Sequence, residues 1–411
     1  MKVLLPAYSC EPNRGSERGV GWNVAREVAK LHEVWVLTRP DESQEAIEAE
    51  LQSNPIPNLH FIYFTLPFWQ DSLRWGQSGA MQLHYYLWQI QAYFVACKLH
   101  QEISFDIAHH VTFVRYATPS FLCLLPIPLV WGPVGGGEST PTPFWKDFSL
   151  KNKLYEFLRV AWRFIGECDP FTRLTARRSA IALATTQDTA HRIHRMGAHQ
   201  VQVSSALFFL EQQQLEFEPA TPPIYTPIRF ISIARLLHWK GLHLSLPAFA
   251  ATQLADAEYW ILGEGPELEN LQALSRELGV NDRVEFFGHL NRDQVLDKLR
   301  QSSVLVHPSL HDSGGWVCLE AMAAQRPVIC LDIGGPAQQV TAATGIKVSA
   351  INPEQSIQEM TQAMMRLAGD QDLLDRMGRA GHRHIQKFYS WESKGQQFLD
   401  LYQKLASQQE N

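Results

Sequence analysis

Short apolar runs alternate with segments whose apolar residues recur at helical spacing, and the alternation continues through both halves of the chain. Lys2–Ala7 reads as a buried strand, Val20, Val24, Val28 and Leu31 mark one helix face, and Glu33–Thr38 is the next strand. Such a unit implies a right-handed crossover between parallel strands. Phe61–Leu66, Phe105–Val111, Pro128–Val134 and Ile181–Thr186 predict further strands. The second half repeats the rhythm at Arg229–Ala234, Glu258–Leu262, Val284–Phe287, Val304–His307 and Val328–Leu331, with helices over Glu267–Leu278 and Asp293–Leu299. Two doubly wound α/β domains are expected, residues 1–210 and 229–387, joined by a Gln-, Pro- and Thr-rich linker at 211–228. The final stretch, about 388–411, is expected to be a helix that crosses back to the first domain.

Two aromatic segments interrupt this rhythm, Phe68–His100 and Phe144–Arg178. In the second, Leu154, Leu158, Trp162 and Ile165 share a helical stripe beside Lys151, Lys153, Arg159 and Arg163. A stripe of that kind is expected to face a core. The alternative is a membrane-surface patch that meets anionic lipid.

Composition narrows the class. The 411 residues are 45% hydrophobic and 19% charged, which excludes a disordered chain. A formal net charge of −6 disfavours a general nucleic-acid binder. No apolar run approaches the roughly 18 residues that span a bilayer. The N-terminal run is too short for a signal peptide, so a cytoplasmic protein is expected, with peripheral contact at the inner membrane face as the further option. The cysteines are scattered without a C-x-x-C pair and read as reduced.

Four stretches carry chemistry. In His307–Pro336 a strand gives way to a Gly-bearing loop and then to a helix near Trp316, whose first N–H groups favour an anion. Gly314 and Gly315 let a ligand approach the backbone, and Asp312 and Glu320 suit paired sugar hydroxyls. Glu320 sits in apolar company and requires a partner. In ISIARLLHWKG, Arg235 and Lys240 flank a strand-to-helix crossing and suit a diphosphate, unless they are only exposed surface charges. In NRGSERGVGWN, Gly15, Gly19 and Gly21 allow a tight turn, although the spacing is not G-x-G-x-x-G; Ser16 alternatively caps a helix. His109 and His110 end a buried strand, where open α/β sheets place ligands and where core histidines also occur. GPVGGGE (Gly132–Glu138) reads as a ligand-facing loop. The D-x-D at Asp370–Asp372 reads as a helix start, so no metal site is expected.

Asp312–Glu320 with LEAMA and RPVI, together with ARLLHWKG, ILGEGPELENL and RVEFFGHL in this order, resembles the family 4 glycosyltransferases. The resemblance is specific across the second half and weaker in the first. It implies the α/β GT-B fold, two Rossmann-like domains with an inter-domain cleft. It further implies retaining sugar transfer from a nucleotide-diphosphate sugar to a hydroxyl of a carbohydrate or lipid-linked acceptor, in polysaccharide or glycolipid synthesis, without metal or other cofactor. Arg235 and Lys240 would grip the diphosphate, Glu320 the ribose, and Asp312 the sugar, with Gly314 and the N–H groups of Gly315, Trp316 and Val317 nearby. Gly15 and Ser16 would face the phosphate, and His109 or His110 the donor sugar. Three residues depart from the pattern: Asp312 replaces the usual Glu, Ser16 the second Gly, and the histidines are not H-x-H. A non-catalytic sugar-binding protein of this fold and a nucleotide-sugar epimerase remain open alternatives.

Overall fold

The structure, a computed structural model, describes residues 1–14, 16–40, 42–69, 79–113, 115–208 and 227–408. Contacts divide the chain into two units. One comprises Met1–Gly137, Ala161–Phe208 and Trp391–Asn411; the other comprises Glu138–Val160 and Phe209–Ser390.

In chain order the first part contains β1 (Lys2–Pro6), α1 (Ser16–Ala29), β2 (Glu33–Thr38), α2 (Glu42–Ser53), β3 (Leu59–Tyr63), α3 (Gly79–Ile103), β4 (Ile107–His110), β5 (Leu129–Val134), α4 (Leu150–Cys168), α5 (Pro170–Arg178), β6 (Ile181–Ala184), α6 (Gln187–Arg195) and β7 (Val201–Val203). These strands form a seven-stranded sheet, ordered β3-β2-β1-β4-β5-β6-β7, and every pairing is parallel. The central strands are buried along their length, which is why KVLLP and LVWGPV read as unbroken apolar runs.

The second unit contains β8 (Arg229–Ile233), α7 (Leu242–Ala251), β9 (Glu258–Leu262), α8 (Leu268–Glu277), β10 (Val284–Gly288), α9 (Arg292–Gln301), β11 (Val304–His307), α10 (Trp316–Ala323), β12 (Val328–Leu331), α11 (Gly334–Gln339), β13 (Gly345–Val348), α12 (Pro353–Gly369) and α13 (Gln371–Phe388). Its six-stranded parallel sheet runs β10-β9-β8-β11-β12-β13. Helix starts follow capping chemistry: Asn291 and Gln294 form a capping box on α9, and Asp370 accepts from Leu373 N at 2.8 Å to start α13. The D-x-D is thus a helix cap. The last helix, α14 (Trp391–Ser407), belongs to the first unit, against α1.

The structure revises several expectations. Strand β3 starts at Leu59, two residues before the predicted Phe61, and ends at Tyr63, three residues short of the predicted Leu66, and the edge strands β7 and β13 had no clear sequence signal because both are short and partly exposed. Glu138–Val160, expected in the first domain, packs with the second. Phe144 and Phe148 enter its core, Asn152 Nδ2 donates to Glu267 at 3.1 Å, and Lys146 pairs with Glu354. The stripe Leu154–Leu158–Trp162–Ile165 faces solvent rather than core. Most of the expected linker, 211–228, lies outside the described residues.

Candidate functional site

In the second unit the chain runs outward from β8 through β9 to β10, then returns to pair β11 on the other side of β8. The strand order therefore reverses between β8 and β11. In open parallel sheets ligands bind beyond the carboxyl ends of the strands at such a reversal. The loop after β8 carries Arg235 and Lys240, and the loop after β11 carries Asp312.

Lys240 Nζ and Asp312 Oδ2 meet at 2.6 Å, both partly buried. The other oxygen, Oδ1, accepts the backbone N–H groups of Gly314 at 3.2 Å and Gly315 at 3.1 Å. His307 Nε2 is 3.3 Å from Oδ2. Burial pushes the Asp312 carboxyl up, but the His307 hydrogen bond and the Lys240 charge outweigh it and hold the group well below the usual carboxylate range. Burial in turn lowers the His307 pKa.

Gly315 is the N-cap of α10 and has φ 65°, a left-handed conformation that favours glycine. A Cβ there would stand 2.9 Å from Pro336 Cγ. Gln339 Nε2 donates to Gly314 O, and Gly335 N donates to Asp312 O at 2.7 Å, so α11 fixes the loop from behind. The N-cap Gly315 has no side chain of its own to close the first turn of α10, at Trp316 and Val317. One turn on, Glu320 is 5% exposed and its Oε1 accepts from Trp316 Nε1 at 2.8 Å and Arg292 Nη1 at 2.6 Å. Arg292 is the partner that the apolar setting of Glu320 demanded.

Arg235 is exposed and does not join this cluster directly. It lines a cavity of about 460 Å³ with Glu264, His289, Leu290 and the ends of β8 and β9. The Glu264 carboxylate accepts from His289 N at 3.2 Å.

A second set of contacts, invisible in the sequence, fixes the same loops. Glu156 of α4 is fully buried, and its Oε1 lies 3.2 Å from His238 Nε2 and 3.3 Å from His311 Nε2. Its Oε2 pairs with Arg159 at 3.1 Å, and Arg159 donates to Glu138 O at 2.6 Å. Ser313 donates to the Glu138 carboxylate. Burial raises the Glu156 pKa, yet the hydrogen bonds from the two histidines prevail and keep it ionised. Trp239 stacks between Tyr155 and His311, with centroids 5.2 Å from each. Glu138, singled out as part of a glycine-rich loop, thus serves the loop that carries Asp312.

The first unit corrects the histidine reading. His109 is fully buried; its Nε2 lies 2.7 Å from Gly132 O, so Nε2 carries the proton and Nδ1 accepts from Tyr402 O–H. His110 is 1% exposed and its Nε2 meets Tyr85 Oη at 3.1 Å and Gln89 Nε2 at 3.2 Å. Burial lowers both pKa values to about 3. Both rings are core groups held by protein partners, because strand β4 is buried on both faces. Ser16 is the first residue of α1, and Gly15 lies outside the described residues. The close approach allowed by Gly21 is to the chain itself: a Cβ there would stand 2.3 Å from Ser9 O.

Known proteins resemble this chain in its second half and in its fold. Residues 215–384 match the family model described as Glycosyl transferases group 1. A D-inositol 3-phosphate glycosyltransferase of Streptomyces avermitilis is 36% identical over 135 residues, 33% of this chain and 28% of that protein's length. An alpha-D-kanosaminyltransferase of Streptomyces kanamyceticus is 27% identical over 177 residues, 42% of this chain and 45% of that one. Among solved structures, the sucrose-phosphate synthase of Thermosynechococcus elongatus superposes with a TM-score of 0.66 at 16% identity, covering 99% of each chain. Anabaena Alr3699/HepE in complex with UDP and glucose gives 0.57 at 16% identity, covering 98% of this chain and all (100%) of that one. Residues 215–384 are thus similar to the group 1 glycosyltransferases, and the chain shares with the solved structures the GT-B fold of two Rossmann-like α/β domains.

Proposed function

We propose that the protein is a retaining glycosyltransferase that uses a nucleotide-diphosphate sugar and a hydroxyl acceptor, carbohydrate or lipid-linked, in polysaccharide or glycolipid synthesis. The observation that carries this reading is the meeting of Lys240 and Asp312 at the reversal between β8 and β11, directly before the α10 N-terminus. Lys240 and Arg235 hold the donor diphosphate, and the α10 dipole adds positive potential. Glu320, fixed by Trp316 and Arg292, receives the ribose hydroxyls. Asp312 orients Lys240 and meets the donor sugar, with Gly314 at the same loop. The bond from the anomeric carbon to the diphosphate oxygen breaks, one to the acceptor oxygen forms, and the acceptor proton leaves with the diphosphate. The reaction as proposed requires no metal.

UDP and glucose occupy the Anabaena neighbour, so UDP-glucose is the first donor to try. A thermal-shift screen of UDP-, GDP- and ADP-linked sugars reads binding directly, because a ligand of the native state raises stability by mass action. The expected result is a rise with one nucleotide class and slow donor hydrolysis that survives excess chelator. No shift with any of these donors would overturn the reading, and loss of hydrolysis in chelator would overturn its metal independence.

A further inference from the structure

Three aromatic rings form one stack beside the donor loops, and the reaction proposed above gives none of them a part. All three belong to the second unit. Trp239 is the middle ring. Tyr155 lies on it with centroids 5.2 Å apart and planes 5° apart, and His311 lies on it with centroids 5.2 Å apart and planes 18° apart. The stack stands at the reacting end of the site, because Trp239 directly precedes Lys240 and His311 directly precedes Asp312. The two inner residues are held from the protein side: His311 Nε2 is 3.3 Å from Glu156, and the Trp239 carbonyl accepts from Leu310 N at 2.8 Å. Tyr155 ends the stack and is 45% exposed. Neither its hydroxyl nor Trp239 Nε1 has a hydrogen-bond partner among the described residues.

Such a stack has two characters, apolar ring faces and an O–H and an N–H at its edge. Its complement is a ring with an apolar face and polar groups around the rim. A pyranose has both. Its C–H groups suit the negative face of an aromatic ring, and its hydroxyls can meet the two unspent edge groups. Position separates this sugar from the donor. The cavity at Arg235 lies at the ends of β8 and β9, whereas the stack runs from the Lys240–Asp312 cluster toward α4. Asp312 is assigned to the donor sugar. Tyr155 stands two ring spacings beyond His311, so a pyranose on Tyr155 is a second sugar.

We propose that Tyr155 and Trp239 form a carbohydrate-stacking subsite that takes a pyranose ring of the acceptor. The Tyr155 ring carries the apolar face of the sugar, and Tyr155 Oη and Trp239 Nε1 bond its hydroxyls. Calling that sugar the acceptor rests on the transferase reading; the subsite itself does not.

The test is a saturation-transfer NMR titration of the full chain. The probes are the methyl glycosides of glucose, galactose, mannose and N-acetylglucosamine, with cellobiose and maltose. The expected result is binding of at least one probe, with saturation strongest on the C–H groups of one face of its ring. Tyr155→Leu keeps apolar bulk without the ring and should weaken that binding roughly tenfold, the order of one lost aromatic contact. Tyr155→Phe keeps the ring and should recover part of the loss. No saturation of any probe, saturation spread evenly over both faces, or equal affinity of wild type and Tyr155→Leu would overturn the proposal. A thermal-shift screen with UDP-, GDP- and ADP-linked sugars on the same samples separates the two readings. Glycoside binding without a donor response sinks the transferase and leaves the subsite, and the reverse sinks only the subsite. A donor shift present in the wild type and lost in Tyr155→Leu would assign the rings to the nucleotide sugar and overturn the proposal as well.

Discussion

Lys240 has two tasks that one substitution can separate. It holds Asp312 at 2.6 Å in this structure, and in the proposed reaction it meets the charge that builds on the departing diphosphate. Lys240→Ala is expected to lower kcat by about 10²–10³, the usual cost of losing one such preorganised charge. The loss of stability should be smaller, because Asp312 keeps the Gly314 and Gly315 N–H groups. Steady-state kinetics with the responsive donor, beside a urea titration, check both. Arg235→Ala should act mainly on donor KM, since Arg235 stands exposed at its own cavity rather than in the Lys240–Asp312 cluster. At this scale Lys240, Asp312 and Glu320 were legible because each is a charge set between apolar runs at a strand or helix end. Their partners were not. Nothing in the spacing of Arg292 or His307 says which carboxylate it meets, because the sheet decides that by bringing distant loops together.

Among the elements, α4 separates what periodicity reveals from what it leaves open. The helical stripe through Leu154, Leu158, Trp162 and Ile165 was visible, but its period is the same whether it faces core or solvent. The side was settled by Glu156, whose carboxylate is needed between two loops of the second unit. His238 lies just before Lys240 and His311 just before Asp312, so this one side chain sets the approach of both. Glu156→Ala is expected to destabilise the second unit by about 3 kcal/mol, the lower end for breaking a buried charged contact. It should also lower kcat more than it raises donor KM, whereas Glu156→Gln, which keeps a hydrogen-bond acceptor, should recover part of the loss. Equal kcat for wild type and both variants would show that the clamp serves stability alone. Helix α10 supplies a sharper case. Gly315→Ala forces a Cβ into the left-handed region and to 2.9 Å from Pro336 Cγ. A loss of about 1–2 kcal/mol in unfolding free energy is expected, with weaker donor binding.

For the whole molecule, both parallel sheets could be read from buried apolar runs, and only the partly exposed edge strands β7 and β13 lacked a signal. The same burial that made the strands legible also turned the His109–His110 pair from a site candidate into core. Both rings sit in the first unit with pKa values lowered to about 3 by burial, whereas an unfolded histidine titrates near 6.5. Between those values the unfolded chain binds protons that the native chain refuses, so stability must fall as pH falls through the window. Each histidine adds a slope of up to about 1.4 kcal/mol per pH unit, and the pair up to about 2.7. Asp312 and Glu156 act in a different window. Their carboxyls are held below the ordinary range, so their contribution is lost only on acidification below about pH 4. Urea denaturation should therefore show a steep loss between pH 6.5 and pH 5, before the carboxylates of the second unit respond, and His32, His243, His307 and His384, whose pKa values burial also lowers, add to it. His110→Gln removes one of these rings, and its slope in that interval should be lower than that of the wild type by up to about 1.4 kcal/mol per pH unit. A flat profile from pH 7 to pH 5 would mean that the pair is open to protons in the native state, and that the ring nitrogens are not committed to Gly132, Tyr402 and Tyr85.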